Sequence, residues 1–201
     1  MLFNEERAYM GTALPRRVAE FTAGRHAARQ AMRALGEAPR SVQMYADRSP
    51  KWPPGIVGSI SHDAQKCVAV VGRSQNWQSL GIDIEPDIPL DADLVPEICT
   101  TREQDWLAQQ PESDRLRLAR LIFCAKECAY KCQYPITRAL FGFDALEVAI
   151  GVSAFTATFT EQIGPFAAGD VLTGGFTFID GKMISFMAKS AVEVTSQGIS
   201  T

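Results

Sequence analysis

A chain of 201 residues can bury a substantial core as one domain or two small ones, and its 46% hydrophobic and 21% charged content is that of an ordinary globular protein. Its 20 basic and 23 acidic side chains, a formal charge of −3, exclude a general nucleic-acid binder while leaving room for a local basic site. No apolar run approaches the ~20 residues that span a bilayer, and the opening MLFNEERAYM lacks the basic-then-apolar order of a signal peptide, so a cytoplasmic protein without a membrane partner is expected.

Residues 15–35, PRRVAEFTAGRHAARQAMRAL, read as a helix stopped by Gly36 and Pro39. Phe21, Ala28, Met32 and Leu35 form its apolar stripe, and Arg25, Arg29 and Arg33 a basic stripe beside it. Residues 37–58, with SPKWPPG, read as loop. KCVAVVG (66–72) and QSLGIDIEP (78–86) read as two strands joined by a polar turn. Helices follow near 101–109 and 113–133, the latter closed by Pro135, and the remainder is β-rich: LEVAI, SAFTATF, VLTGGFTFI and KMISFMAK, with Asp180-Gly181 the strongest hairpin turn. Each half offers a helix and then a hairpin. The expectation is an α+β protein of two similar lobes, 1–88 and 89–194, in a pseudo-twofold arrangement, with the site at their interface and a disordered tail at 195–201.

Four stretches carry chemistry. In GIDIE, strand alternation sends Asp83 and Glu85 to one face, where two like charges call for a cation; hard oxygen ligands suit Mg²⁺, although an exposed strand face is the plainer reading. In GSISHD, Ser61 and His62 are placed to donate to a phosphate; they make a poor catalytic dyad, being adjacent in sequence and without an orienting third group. The arginine stripe can grip phosphate bidentately or simply be solvated. In FCAKECAYK, Glu127 and Lys131 share a helix face, a pattern most often met as a weak surface ion pair, with Lys126 turned away from them. Five cysteines, an odd number, suit reduced thiols; the row Cys124, Cys128, Cys132 reads as buried small hydrophobes rather than metal ligands. Carboxylates for a cation beside cations for an anion point to a polyphosphorylated ligand.

The ordered set FTAGRHAAR, WPPGIVGSISHD, GIDIEP and FCAKECAYK, continued by KCQYPITRALFGF, resembles the 4′-phosphopantetheinyl transferases, particularly the bacterial type serving siderophore, nonribosomal peptide and polyketide synthesis. The resemblance implies transfer of the phosphopantetheine arm of coenzyme A to a serine of apo acyl or peptidyl carrier proteins, with release of adenosine 3′,5′-bisphosphate. It implies Mg²⁺, with Mn²⁺ as a substitute, gathered by Asp83, Glu85 and Glu127. Arg25, Ser61 and His62 would lie around the nucleotide phosphates, with Arg29 a further anion-binding candidate from the basic stripe, Lys131 at the pyrophosphate, Lys126 within the motif, and Arg48, Lys51 and Pro53 on an adenine-side loop. Glu127, directly or through a metal-bound water, is the candidate base for the serine, and Lys131 the stabiliser of leaving-group charge. Asp63, after the motif histidine, is a departure that adds negative charge beside the phosphate site. Two other classes compete: a noncatalytic coenzyme A-binding or carrier-binding regulator, which has no need of the carboxylate set, and a Mg²⁺-dependent nuclease, which wants a lysine where Asp87 stands. One chain of this kind can assemble a whole site, so a monomer is expected.

Overall fold

The computed structural model describes residues 1–191. In chain order these form α1 (Asn4–Arg7), α2 (Pro15–Ala34), β1 (Gln43–Met44), β2 (Pro50–Lys51), β3 (Ile56–His62), β4 (Cys67–Arg73), β5 (Trp77–Pro86), α3 (Val95–Ile98), α4 (Thr101–Ala108), α5 (Glu112–Thr137), β6 (Leu146–Ile150), β7 (Ala154–Phe159), β8 (Val171–Ile179) and β9 (Lys182–Ser190). The class is α+β. The tail at 195–201, and the last three residues assigned to the second lobe, lie outside the described residues. Among those described, no helix is long and apolar enough to cross a membrane.

Helix α2 begins with Pro15 at its first position and buries Phe21, Ala28 and Met32 of the predicted stripe, while Leu35, the fourth, caps its end and is half-buried. Gly36, at φ 82, takes the left-handed conformation just past its end, where the Glu37 N–H bonds back to the Met32 carbonyl. Thr100 and Glu103 cap α4 reciprocally. Helix α5 continues through Pro135, contrary to the expected stop. A proline in the last turn removes only the bond that would reach the Lys131 carbonyl, and the helix closes at Arg138, which is left-handed at φ 55.

Three sheets are present among the described residues: the ribbon β1-β2, the hairpin β3-β4, and a five-stranded antiparallel sheet in the order β5-β9-β8-β7-β6. Asp180 and Gly181, both at positive φ, make the predicted turn between β8 and β9. Two expectations are corrected. The expected loop 37–58 does not reach its end as loop: strand β3 begins at Ile56 and runs through GSISH, paired with Cys67–Arg73. The next strand, β5, forms no hairpin with β4 but is laddered to β9 over Trp77–Pro86. Burial explains this pairing: β5 is covered on both faces from Ser79 to Ile84, so neither face is free to be the solvated side of a small hairpin.

A large hydrophobic core packs Leu121, Ile122, Cys124, Cys128 and Cys132 of α5 against the five-stranded sheet, and a small one joins Ala28 and Met32 of α2 to Val42 and Ile56. All five cysteines are free, and burial pushes the Cys124 and Cys128 thiols well up. The row is therefore packing, as the spacing suggested.

Candidate active site

Helix α5 lies directly on β5. A Cβ at Gly81 would stand 2.2 Å from the Cys128 carbonyl oxygen, so the glycine of GIDIE is what lets strand and helix approach. That approach sets Asp83 beneath Lys131. Asp83 is 3% exposed; its Oδ1 accepts from Ser61 Oγ at 2.7 Å and from Lys131 Nζ at 2.5 Å, while Nζ also donates to Ser61 Oγ at 2.9 Å. The other carboxylate oxygen, Oδ2, is buried with no hydrogen-bond partner. Burial disfavours the Lys131 ammonium, but Asp83 outweighs it and raises its pKa.

Glu85 and Glu127 are the other two predicted carboxylates. Glu85 pairs with Arg120 at 3.0 Å. Burial, reinforced by the Asp83 charge, raises the Glu85 carboxyl above the usual carboxylate range. Glu127, on the α5 face above, is raised by burial against an opposing pull from Lys131, with Asp83 adding to the rise. The weak Glu127–Lys131 surface pair is not found: Lys131 reaches Asp83 instead. Among the described residues no group of three or more His, Cys, Asp or Glu side chains stands together in a metal-holding arrangement. The donors nevertheless suit Mg²⁺ in kind, being carboxylate oxygens that repel one another around an unpartnered, buried Oδ2.

A cleft of about 620 Å³ opens beside Lys131, walled by Tyr45, Arg48, Trp52 and Ser59 on one side and by Tyr130 and Arg138 on the other. A smaller slot of about 170 Å³ adjoins Glu127, and Tyr130 lines both. Of the predicted loop residues, Arg48 lines the cleft, whereas Lys51 is exposed 5.8 Å from the Tyr45 ring and Pro53 is half-buried outside the lining.

The basic stripe divides. Arg25 stacks 3.9 Å over Phe21 and donates to the Val42 and Gln43 carbonyls, and burial lowers its pKa to about 10. Arg29 is a correction. Both oxygens of fully buried Glu6 and the Met1 carbonyl take its guanidinium, which ties the N-terminal segment to α2 instead of facing the cleft. Lys126 is a second correction. It is 1% exposed and donates at 2.8 Å to Glu103 Oε2 and to the Ile98 and Phe143 carbonyls, a buried brace between α5 and α4.

His62 is exposed at the end of β3, while Ser61, one residue earlier, is buried in the Asp83 network. Asp63 is ion-paired with Lys182. Against the upward push of burial, Lys182 and the backbone N–H groups of Lys66 and Gln65 hold its carboxyl low. Glu6, Arg120, Glu103, Asp47 and Arg138 were missed in the sequence, because each is defined by a partner far along the chain.

The family model for the 4′-phosphopantetheinyl transferase N-terminal domain matches residues 5–72, and that for the 4′-phosphopantetheinyl transferase superfamily matches residues 79–169. The chain belongs to the 4′-phosphopantetheinyl transferase superfamily. It is 33% identical to the 4′-phosphopantetheinyl transferase Svp of Streptomyces mobaraensis, across 98% of this chain and 82% of that protein. It is also 33% identical to the 4′-phosphopantetheinyl transferase PptT of Mycobacterium tuberculosis, across 85% and 74%. To enterobactin synthase component D of Salmonella typhi it is 38% identical, across 66% of this chain and 55% of that protein.

Proposed function

We infer that this chain transfers the 4′-phosphopantetheine of coenzyme A to a serine of apo carrier proteins, in the setting of siderophore, nonribosomal peptide or polyketide synthesis. Family membership supports the reaction, and the observation that carries its location is the Asp83–Lys131–Ser61 cluster opening onto the cleft. Asp83, Glu85 and Glu127 would hold Mg²⁺, or Mn²⁺ in its place. The ion supplies positive charge to the pyrophosphate of coenzyme A.

Lys131 lines the cleft and keeps its proton, so it is suited to balance charge on the departing adenosine 3′,5′-bisphosphate. The carrier serine hydroxyl forms the new P–O bond to the pantetheine-bearing phosphorus, the bond to the nucleotide phosphate breaks, and the serine proton goes to Glu127. Glu127 would take that proton directly or through a metal-bound water. Arg48 on the cleft wall, with Arg25 and His62 outside the lining, would serve the nucleotide end.

All these groups come from one chain, so a monomer suffices. Five free cysteines favour a reducing, cytoplasmic setting. The test is intact mass of an apo carrier domain incubated with the protein, coenzyme A and Mg²⁺. A gain of one phosphopantetheine is expected; an unchanged mass with both a peptidyl and an acyl carrier refutes the reading.

A further inference from the structure

The cleft is crossed at one end by contacts that the sequence motifs do not account for. The Tyr134 phenol donates to Asp47 Oδ2 at 2.8 Å, and Arg138 Nη1 stands 3.1 Å from Ser49 Oγ and 3.5 Å from the same Asp47 oxygen. The Arg138 guanidinium lies 4.6 Å over the Tyr45 ring and 5.6 Å from that of Tyr134. Asp47 in turn shapes its own loop, its Oδ1 accepting from the Ser49 N–H and hydroxyl. Three side chains of the 45–49 segment, Tyr45, Asp47 and Ser49, and two from the end of α5 thus meet across the opening.

Two further facts mark this junction as built. Among the described residues three non-glycine residues have positive φ, and two of them flank the junction: Arg48 at φ 68 and Arg138 at φ 55. Strained backbone of this kind persists where surrounding contacts over-determine it, commonly at ligand clamps. The second fact is mechanical. Lys131, Tyr134 and the Arg138 cap belong to one continuous helix end, so the contact fixes the loop relative to the very lysine that lines the same cleft.

Asp47 and Arg138 are well exposed, with side-chain exposures of 36% and 44%, so their pairing contributes little to global stability. Its effect falls on the loop. A loop already held in its binding position pays less ordering entropy when ligand arrives. We propose that Asp47, Tyr134 and Arg138 form a clasp that fixes the 45–51 loop across the cleft, acting as positioning residues for coenzyme A binding rather than for phosphoryl transfer. The proposal rests on the reading of the cleft as the coenzyme A site.

The test uses the full chain with Asp47→Asn, Arg138→Gln, Tyr134→Phe and the double variant Asp47→Asn/Arg138→Gln. KM and kcat are measured for coenzyme A with one apo carrier domain, and Kd for coenzyme A alone by calorimetry. Asp47→Asn and Arg138→Gln should each raise KM and Kd roughly 3- to 10-fold, the scale of freeing one or two ordered side chains, with kcat within about twofold and melting temperature unmoved. The double variant should be little worse than the worse single one, because one clasp is broken in each. Arg138→Lys, which keeps charge but not the planar fork, should recover only part of the loss. Unchanged KM and Kd in all variants, or a fall in kcat at constant KM, overturns the clasp. A parent that binds coenzyme A but modifies no carrier refutes the transferase reading and leaves the clasp to be judged on Kd; a parent that binds no coenzyme A refutes both.

Discussion

Replacing Lys126 by methionine separates a brace from a ligand. The ammonium and its partner carboxylate Glu103 are each 1% exposed, and the ammonium has two further acceptors in the Ile98 and Phe143 carbonyls, all at 2.8 Å. Removing one side of a buried pair costs about 3–5 kcal/mol, because the remaining charge is left in a low-dielectric interior. Glu103 keeps the Thr100 N–H at 2.7 Å and the Val148 N–H at 2.6 Å, which favours the lower end of that range. At roughly 2–4 °C per kcal/mol for a chain of this size, 3–5 kcal/mol lowers the melting temperature by about 6–20 °C. Scanning calorimetry on Lys126→Met measures it, with coenzyme A kinetics run below both transitions. Adding Glu103→Gln removes the stranded charge and should restore about half of the loss. A melting change under about 2 °C, accompanied by a tenfold or larger rise in KM for coenzyme A, would refute the brace and return Lys126 to the ligand.

Arg29→Met should destabilise the fold by about 3 kcal/mol in urea unfolding, by stranding Glu6, while KM for coenzyme A stays at the parent value; a large KM change with normal stability contradicts the structural role. Lys131→Met should slow single-turnover transfer at saturating coenzyme A by about 100-fold, and a rate within twofold of the parent counts against charge stabilisation. Glu127→Gln should abolish turnover yet make the metal-free protein more stable at pH 7. The folded-state pKa of Glu127 is raised, so the folded chain binds the extra proton above the ordinary carboxylate range, and stability is lost as pH rises through the raised value. The glutamine variant lacks that loss. Melting curves from pH 4 to pH 8 should therefore diverge in its favour, and parallel curves would remove Glu127 from the buried, charge-crowded position assigned to it.

The elements whose formation is local were legible in the chain. Pro15 and Gly36 bound α2, Asp180-Gly181 makes its turn, and the apolar periods of α2 and the late strands appear as read, because caps, turns and faces depend on residues within a few positions. The family was also carried by short motifs in order. Partner choice was not. Whether β5 would ladder with β4 or with β9 depended on which surface covers its second face, and only the assembled core decided it. The arginine stripe shows the same limit: Arg25 and Arg29 are alike on a helical projection, but Arg29 meets Glu6 from 23 residues away, Lys126 meets Glu103 from another helix, and Asp47 meets Arg138 from the far side of the cleft. A charge written in sequence has a sign and a face. Its counter-ion is chosen by packing, since burial makes an unpaired charge too costly and the only partners within reach are those that the tertiary fold brings near.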